Sequence, residues 1–347
     1  MKILIIKLSA LGDVLASSPI FHLIKDEHPE CQLHHLVMKQ CSVATESNRH
    51  IDKQHIIELV PSGKILRDLK ILTVLWWKML WERYDTAIIL HRNIRFQLLC
   101  KAAGIKRLIG FSRQEWNILD CSMEFTMKGN RTMQEVELLR KADLIHGNPT
   151  SLEFYIDTNK VDLAKLSVLP ANYIAVNPCG GNPHAPADNK IWPTSNYITL
   201  INSLDLPVIL LGNGDREKAI ADLIEQNCNT PVINMVNRIN FHEAAHIIQR
   251  ARLYIGNDSA LLYLAAALKT RSIGLYGPTA VSAFLPLGNK QFYIHSQTSC
   301  SPCYNSLDGV KSKMYSCADN VCMKSISPSQ VLKKVQSILE IENQVCK

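Results

Sequence analysis

The feature that most constrains this chain is an alternation of short apolar runs with helical stretches, and it occurs in two series. Residues 3–8, 33–37, 55–59, 86–90 and 107–111 read as strands in the first series, and 173–177, 207–211, 232–234, 253–255 and 271–275 in the second. Helical patterns such as 240–250 lie between them. Strands that are apolar throughout are buried on both faces, and a strand–helix–strand order builds a parallel sheet with right-handed crossovers. With 347 residues the chain is long enough for two cores. The expected fold class is therefore α/β, with two Rossmann-like domains facing a central cleft. The stretch carrying His146, Gly147, Asn148, Pro149 and then Pro170 lacks long apolar periodicity and reads as the linker zone. The first domain is assigned to residues 1–165 and the second to 166–327. A Pro-opened helix over 328–347 is expected to pack back on the first domain.

Composition narrows the class. Hydrophobic residues make up 47% of the chain, ordinary for a globular protein. Lys7 and Asp13 interrupt the apolar start, so no export signal is expected, and a cytoplasmic location follows. A bilayer span needs about 20 apolar residues; the nearest run, 71–81, is short and contains Lys78. The formal charge of +7 suits an anionic partner without choosing one. No recognisable nucleic-acid motif is present, so none is expected as a partner. Eleven cysteines without an export signal read as reduced thiols rather than a disulfide scaffold.

In open α/β sheets ligands collect at the carboxyl ends of strands, and that is where the small and polar residues fall. The first strand runs into Ser9-Ala10-Leu11-Gly12-Asp13 and a helix. Asp13 has two readings there, a helix cap or a general base acting on an acceptor hydroxyl. No Gly-x-Gly-x-x-Gly follows, which argues against a dinucleotide enzyme. In the second half Gly256-Asn257-Asp258-Ser259 opens a helix, whose N-terminus favours an anion such as pyrophosphate. Asp258 either accepts sugar hydroxyls or caps that helix. A long loop with Gly180, Gly181, Asp188, Asn189 and Lys190 precedes Ile191-Trp192-Pro193. Lys190 is either a solvated loop lysine or the cation that neutralises a departing diphosphate. Gly212-Asn213-Gly214-Asp215 puts Asp215 at a strand end, where an acid commonly holds a ribose hydroxyl; its other reading is again a cap. Two domains with such ends make a transferase the economical reading.

These motifs, in this order, resemble glycosyltransferase family 9, the heptosyltransferases. The resemblance rests on Lys7 through Leu15, on Tyr84-Asp85 through Leu90 with Arg95, and on Ile109-Gly110-Phe111. In the second half it rests on Asp188 through Pro193, on Gly256 through Ser259 leading into Leu264 through Leu268, and on Leu275 through Thr279. It covers nearly the whole chain. It implies a GT-B fold, an ADP-heptose donor, inversion at the anomeric carbon and the Kdo-lipid A core of lipopolysaccharide as acceptor. By position it implies Asp13 as general base, with Lys190, Asp215, Asp258 and Ser259 binding the donor and Arg113 near the anionic acceptor. Arg92, beside His91 at a strand end, is a second acceptor candidate. There is no Asp-x-Asp, so no metal cofactor is required on this reading. Two departures stand out: Ala260 and Tyr263 replace a glycine and a histidine usual in the family, and the loop reads His184-Ala185-Pro186-Ala187 without hydroxyl residues. The same fold acting on a protein acceptor, using another sugar, or serving as a silent nucleotide-sugar or lipid binder remains an alternative.

Cys300, Cys303, Cys317 and Cys322 form two close pairs, a spacing that suits a structural zinc or iron site; packed reduced thiols are the other reading. Trp76, Trp77 and Trp81 flank Lys78 and Arg83 on one helix. They read either as core or as an aromatic, basic face resting on the inner surface of the inner membrane. His34 and His35 suggest no partners.

Overall fold

The computed structural model describes residues 1–58, 65–112, 118–180, 188–288 and 290–345, the side chains of 65–69, 310 and 341–345 excepted. Arg113 and the loop 184–187 lie outside the described residues. The chain divides into two compact units, Met1–Tyr155 and Ile156–Lys347.

The first unit contains a parallel six-stranded sheet of β1 (Lys2–Ile6), β2 (Gln32–Met38), β3 (Lys53–Ile57), β4 (Thr86–Ile89), β5 (Arg107–Ser112) and β6 (Cys121–Glu124), in the order β3-β2-β1-β4-β5-β6. The second contains β7 (Ile174–Asn177), β8 (Val208–Leu210), β9 (Val232–Asn234), β10 (Leu253–Asn257), β11 (Ser272–Tyr276) and β12 (Gln291–His295), in the order β12-β11-β10-β7-β8-β9. Counted within its own unit, the second order is the first one reversed in listing, so both sheets share one topology. The strand order turns between β1 and β4 and between β7 and β10, and ligands of such sheets bind at those turning points. The expected α/β class, two Rossmann-like domains of the GT-B type, is the architecture observed. Sequence pattern gave no hint of β6 and β12. Both are edge strands with little full burial, so neither carries the continuous apolar run that marks an inner strand.

Period-two alternation sends neighbouring residues of β1 to opposite faces. Ile3 and Ile5 join Phe21, Ile24, Val136 and Leu139 on one face of the sheet. Leu4 and Ile6 join Leu75, Met79 and Phe96 on the other. Burying each such side chain contributes roughly 1.5–3 kcal/mol, so the inner strands dominate the stability of this unit. In β5 a Cβ on Gly110 would lie 2.6 Å from the carbonyl oxygen of Ile89, so only glycine lets these strands approach.

In the second unit Trp192 and Tyr197 are fully buried beside Ile174, Val176, Ile255 and Leu275. Val331, Val335 and Ile338 of the Pro328–Val345 helix belong to that same core, and the helix contacts Thr194–Ile201. The expectation from sequence placed this helix against the first domain; its buried apolar face lies in the second unit. The 240–250 helix forms as Phe241–Arg250, with Asn240 accepting from the Glu243 N–H and Glu243 accepting from the Asn240 N–H. Among the described residues no helix is long and apolar enough to cross a membrane.

Candidate functional site

In the first unit β1 ends at the turning point of its sheet, and a helix, Leu11–Ala16, begins almost at once. Ala10 occupies the helix cap, so Asp13 is not the N-cap; it sits in the first turn and accepts the Ala10 N–H at 3.4 Å. Its Oδ1 is 2.7 Å from Arg131 Nη1, and its Oδ2 accepts from Arg131 Nη2 at 3.2 Å, a two-pronged ion pair. Burial alone would push the Asp13 carboxyl up. The Arg131 guanidinium, the Lys7 ammonium and the Ala10 N–H together outweigh burial and hold it below the ordinary 3.8.

Behind this pair lies another, buried one. Lys7 Nζ is 2.6 Å from Glu135 Oε1, with both side chains almost wholly covered. Arg131 and Glu135 stand four residues apart on the Arg131–Lys141 helix and so share one face. His91, after β4, accepts the Leu8 N–H through Nε2 at 2.8 Å, which fixes the ring as neutral with the proton on Nδ1. Burial first, then the charge of Lys7, lowers its pKa to about 4. Arg92 stands over the Phe125 ring at 5.1 Å, and Arg131 over the same ring at 5.7 Å. Among the described residues the carboxylate of Asp13 is thus held in a neighbourhood that includes the cations Lys7, Arg92 and Arg131. Sequence reading singled out Asp13 and Arg92 and passed over Arg131 and Glu135, the partners of Asp13 and Lys7. They lie more than a hundred residues away along the chain on an ordinary amphipathic helix, and no local spacing announces them.

In the second unit the equivalent ends are those of β7 and β10. Each finishes in a buried asparagine. Asn177 donates to the Leu211 carbonyl at 2.7 Å; Asn257 donates to the Cys179 carbonyl at 2.9 Å and accepts from Tyr197 Oη at 3.0 Å and the Trp192 N–H at 3.2 Å. An asparagine closing an apolar strand was the available sequence signal for this pair. A Cβ on Gly256 would lie 2.6 Å from Tyr254 Oη, so β10 needs glycine there. Ser259 caps the Ala260–Ala267 helix by position without a side-chain cap bond; its Oγ donates to Asn177 Oδ1 at 3.4 Å. Asp258 does not cap either. Its carboxylate takes Lys190 Nζ at 2.7 Å, and the two side chains are 5% and 15% exposed. Lys190 also stands over the rings of Tyr304 at 4.9 Å and Phe284 at 5.6 Å, so it is no solvated loop lysine.

Asp215 follows the end of β8. It is exposed in the first turn of the Asp215–Asn227 helix, whose cap is Gly214, and it has no ion pair with Lys190 among the described residues. Its neighbour Arg216, which sequence reading passed over, pairs with Asp188. Tyr263 is buried and donates to the Phe284 carbonyl at 2.9 Å, joined there by Tyr276 Oη at 3.1 Å. The residue that departs from the family pattern is therefore a core tie.

The four cysteines are neighbours in one region of the second unit, graded from exposed Cys300 to buried Cys322. Burial raises the Cys322 thiol to about 11, and nearby Cys303, Cys300 and Cys317 act in the same direction. They are not drawn to ligand spacing. Among the described residues the set whose ligand atoms fall within 4.8 Å of one another is His34, His55 and Glu82. That set is explained without an ion. Tyr84 Oη bonds His34 Nδ1 at 2.8 Å and His55 Nε2 at 2.9 Å, while Glu82 holds Lys2 at 2.6 Å and Lys53 at 2.5 Å. His35, also without a partner in the sequence reading, bonds Thr45 Oγ1 and the Lys7 carbonyl.

Residues 73–313 match the family model for glycosyltransferase family 9 (heptosyltransferase). The chain is 26% identical over 311 residues to lipooligosaccharide heptosyltransferase 2 of Haemophilus influenzae, covering 84% of this chain and 87% of that one. Among solved structures it is similar to E. coli ADP-heptose lps heptosyltransferase II, with a TM-score of 0.77, 19% identity and 99% and 100% of the two chains covered. E. coli heptosyltransferase WaaC with ADP-2-deoxy-2-fluoro heptose gives a TM-score of 0.71 at 16% identity, covering 97% and 99%. The iron-containing dodecameric glycosyltransferase TibC from enterotoxigenic E. coli gives 0.60 at 13% identity, covering 98% of this chain and 76% of that one. The family match spans well over half of the chain, and the chain belongs to glycosyltransferase family 9, the heptosyltransferases.

Proposed function

We propose that this glycosyltransferase moves a heptose from ADP-heptose to the Kdo-lipid A inner core of lipopolysaccharide with inversion, using Asp13 as general base. The observation that carries the reading is Asp13 itself, a carboxylate at the turning point of its sheet, kept ionised by Arg131 and Lys7. An ionised carboxylate can accept the acceptor hydroxyl's proton as that oxygen attacks the anomeric carbon. The bond from the anomeric carbon to the diphosphate breaks with both electrons going to ADP. Attack from the side opposite the leaving group gives inversion.

On this proposal the first unit binds the acceptor, with Arg92 and, outside the described residues, Arg113 meeting its anionic groups. The second unit binds the donor. Lys190 offsets the charge growing on the departing diphosphate, and Ser259 and the N-terminus of the Ala260–Ala267 helix add to that. Asp258, which holds Lys190 before the donor arrives, accepts sugar hydroxyls, and Asp215 accepts the ribose. The H. influenzae and E. coli relatives carry heptosyltransferase names, which supports the donor and acceptor classes. A cytoplasmic site at the inner face of the inner membrane, where a glycolipid acceptor is reached, completes the proposal.

A structural zinc or iron at Cys300, Cys303, Cys317 and Cys322 is a separate proposal. Four neighbouring thiols are the donor set a tetrahedral thiolate site uses, and TibC is an iron-containing relative in fold. Such an ion would tie the loops that carry the thiols; no step of the transfer involves it.

Asp13→Asn tests the mechanism. It keeps shape and removes the base, so turnover should fall by about 100-fold or more while ADP affinity holds. Turnover unchanged in Asp13→Asn would remove Asp13 from the chemistry.

A further inference from the structure

The Ile65–Glu82 helix is apolar on two sides, and among the described residues one of them is covered and the other is open. Leu75 and Met79 are 4% and 2% exposed and belong to the first unit's core. On the other side Val74, Trp77 and Trp81 follow one another at three- and four-residue spacing, which aligns them along a single face. Trp77 is 59% exposed and Trp81 87%. Leu80, and Ile56 on β3, extend the open apolar area. The sequence reading of these tryptophans as core therefore holds for neither Trp77 nor Trp81; Trp76 is half-buried and meets Trp77 edge to face at 5.1 Å.

Cations border the face. Lys70 and Lys78 are exposed on the same helix, and Arg83 follows its end. A groove of about 380 Å³ runs beside Val74, lined by Ile56, Ile57 and Val74 together with Lys70 and Lys78. The acid at its rim, Glu58, is taken by Lys39 at 2.6 Å, and Glu82 is taken by Lys2 and Lys53. Among the described residues the face thus offers indole rings and aliphatic side chains inside a border whose carboxylates Glu58 and Glu82 are already paired.

We infer that this face is a docking surface for an anionic lipid bilayer, with Trp77 and Trp81 entering the headgroup boundary and Lys70, Lys78 and Arg83 meeting acidic headgroups. Indole is suited to that boundary because its ring is apolar and its N–H still finds a partner. Lysine at the edge of an interfacial helix adds attraction that salt weakens. The helix lies on the surface and does not enter the hydrocarbon. The inference names the contact through which a glycolipid-modifying enzyme would hold its acceptor's membrane, and its purpose rests on the acceptor proposed above; the binding itself does not.

The test is flotation of the full chain with vesicles of phosphatidylcholine, with and without phosphatidylglycerol, alongside Trp77→Ser/Trp81→Ser and Lys70→Glu/Lys78→Glu. The chain should float with the anionic vesicles and release as salt rises. Each double variant should partition roughly ten-fold less. Transfer to a soluble, deacylated acceptor should be unchanged in both, because none of these residues belongs to the site described. If the chain stays unbound, or the tryptophan variant floats as well as the parent, the inference is overturned. It is also overturned if sedimentation finds a dimer that the tryptophan variant converts to monomer, since the face would then belong to a second copy. A chain that floats but transfers nothing would sink the acceptor proposal and leave the docking surface standing.

Discussion

The two units share one sheet topology and place a cation–carboxylate pair at the turning point of each sheet, yet the pairs are turned opposite ways. In the first, the carboxylate is the more open partner: Asp13 is 25% exposed and Arg131 16%. In the second, the cation is the more open partner, with Lys190 at 15% and Asp258 at 5%. One fold therefore presents a negative group at one site and a positive group at the other. On the mechanism proposed above, the difference between the pairs supplies a base for the acceptor hydroxyl from one and a counter-charge for the departing diphosphate from the other.

Breaking the more buried pair should cost most. Lys190→Met strands the Asp258 carboxylate in a covered site, a loss of about 3–5 kcal/mol that urea unfolding would read. Asp258→Leu added to it should recover most of that stability, because the stranded charge is gone. Transfer should stay low in both, since the counter-charge is missing from each; recovery of activity in the double variant would mean Lys190 serves stability alone.

Arg131→Gln breaks the more open pair, with a smaller loss of about 1.5–3 kcal/mol. Its sharper effect concerns pH. The Asp13 carboxyl is depressed in the folded chain, so its pairing stabilises the protein above the ordinary 3.8 and is lost as pH falls through the folded value. Without Arg131 the folded value rises, the stabilising window shrinks, and the acidic limb of kcat/KM moves to higher pH. An unmoved limb would separate Asp13 from the titration that governs turnover.

The smallest expected effect comes from the position that departs most visibly from the family. Tyr263→Phe removes one of two hydroxyls donating to the Phe284 carbonyl and should cost about 0.5–1.5 kcal/mol, read by thermal unfolding. Transfer should be unaffected. A large loss of turnover would place Tyr263 in the donor site after all.

Inner strands and their ends were legible in the sequence because burial on both faces writes a continuous apolar run, and because the small and polar residues gather where the runs stop. Asp13, Lys190, Asp258 and Ser259 were singled out this way, and the structure places Asp13 after β1 and the other three beside one another in the second unit. What sequence could not reveal is pairing across distance. Arg131 and Glu135 look like any solvated helix charges until β1 and the Arg131–Lys141 helix pack together, and His34 gains its partners only when β2, β3 and Tyr84 converge. Exposure was equally hidden. Leu75 and Trp77 are both apolar residues of one helix, and only the sheet beneath decides which of them is covered.

The central claim, that the first unit's carboxylate and the second unit's lysine serve a single transfer, is tested most directly by ADP release. Purified protein would be given ADP-heptose with and without a truncated Kdo-lipid A core. The account predicts release that depends on the acceptor. ADP bound normally, with no acceptor-dependent release, would contradict it and point to another sugar, a protein acceptor or a silent relative.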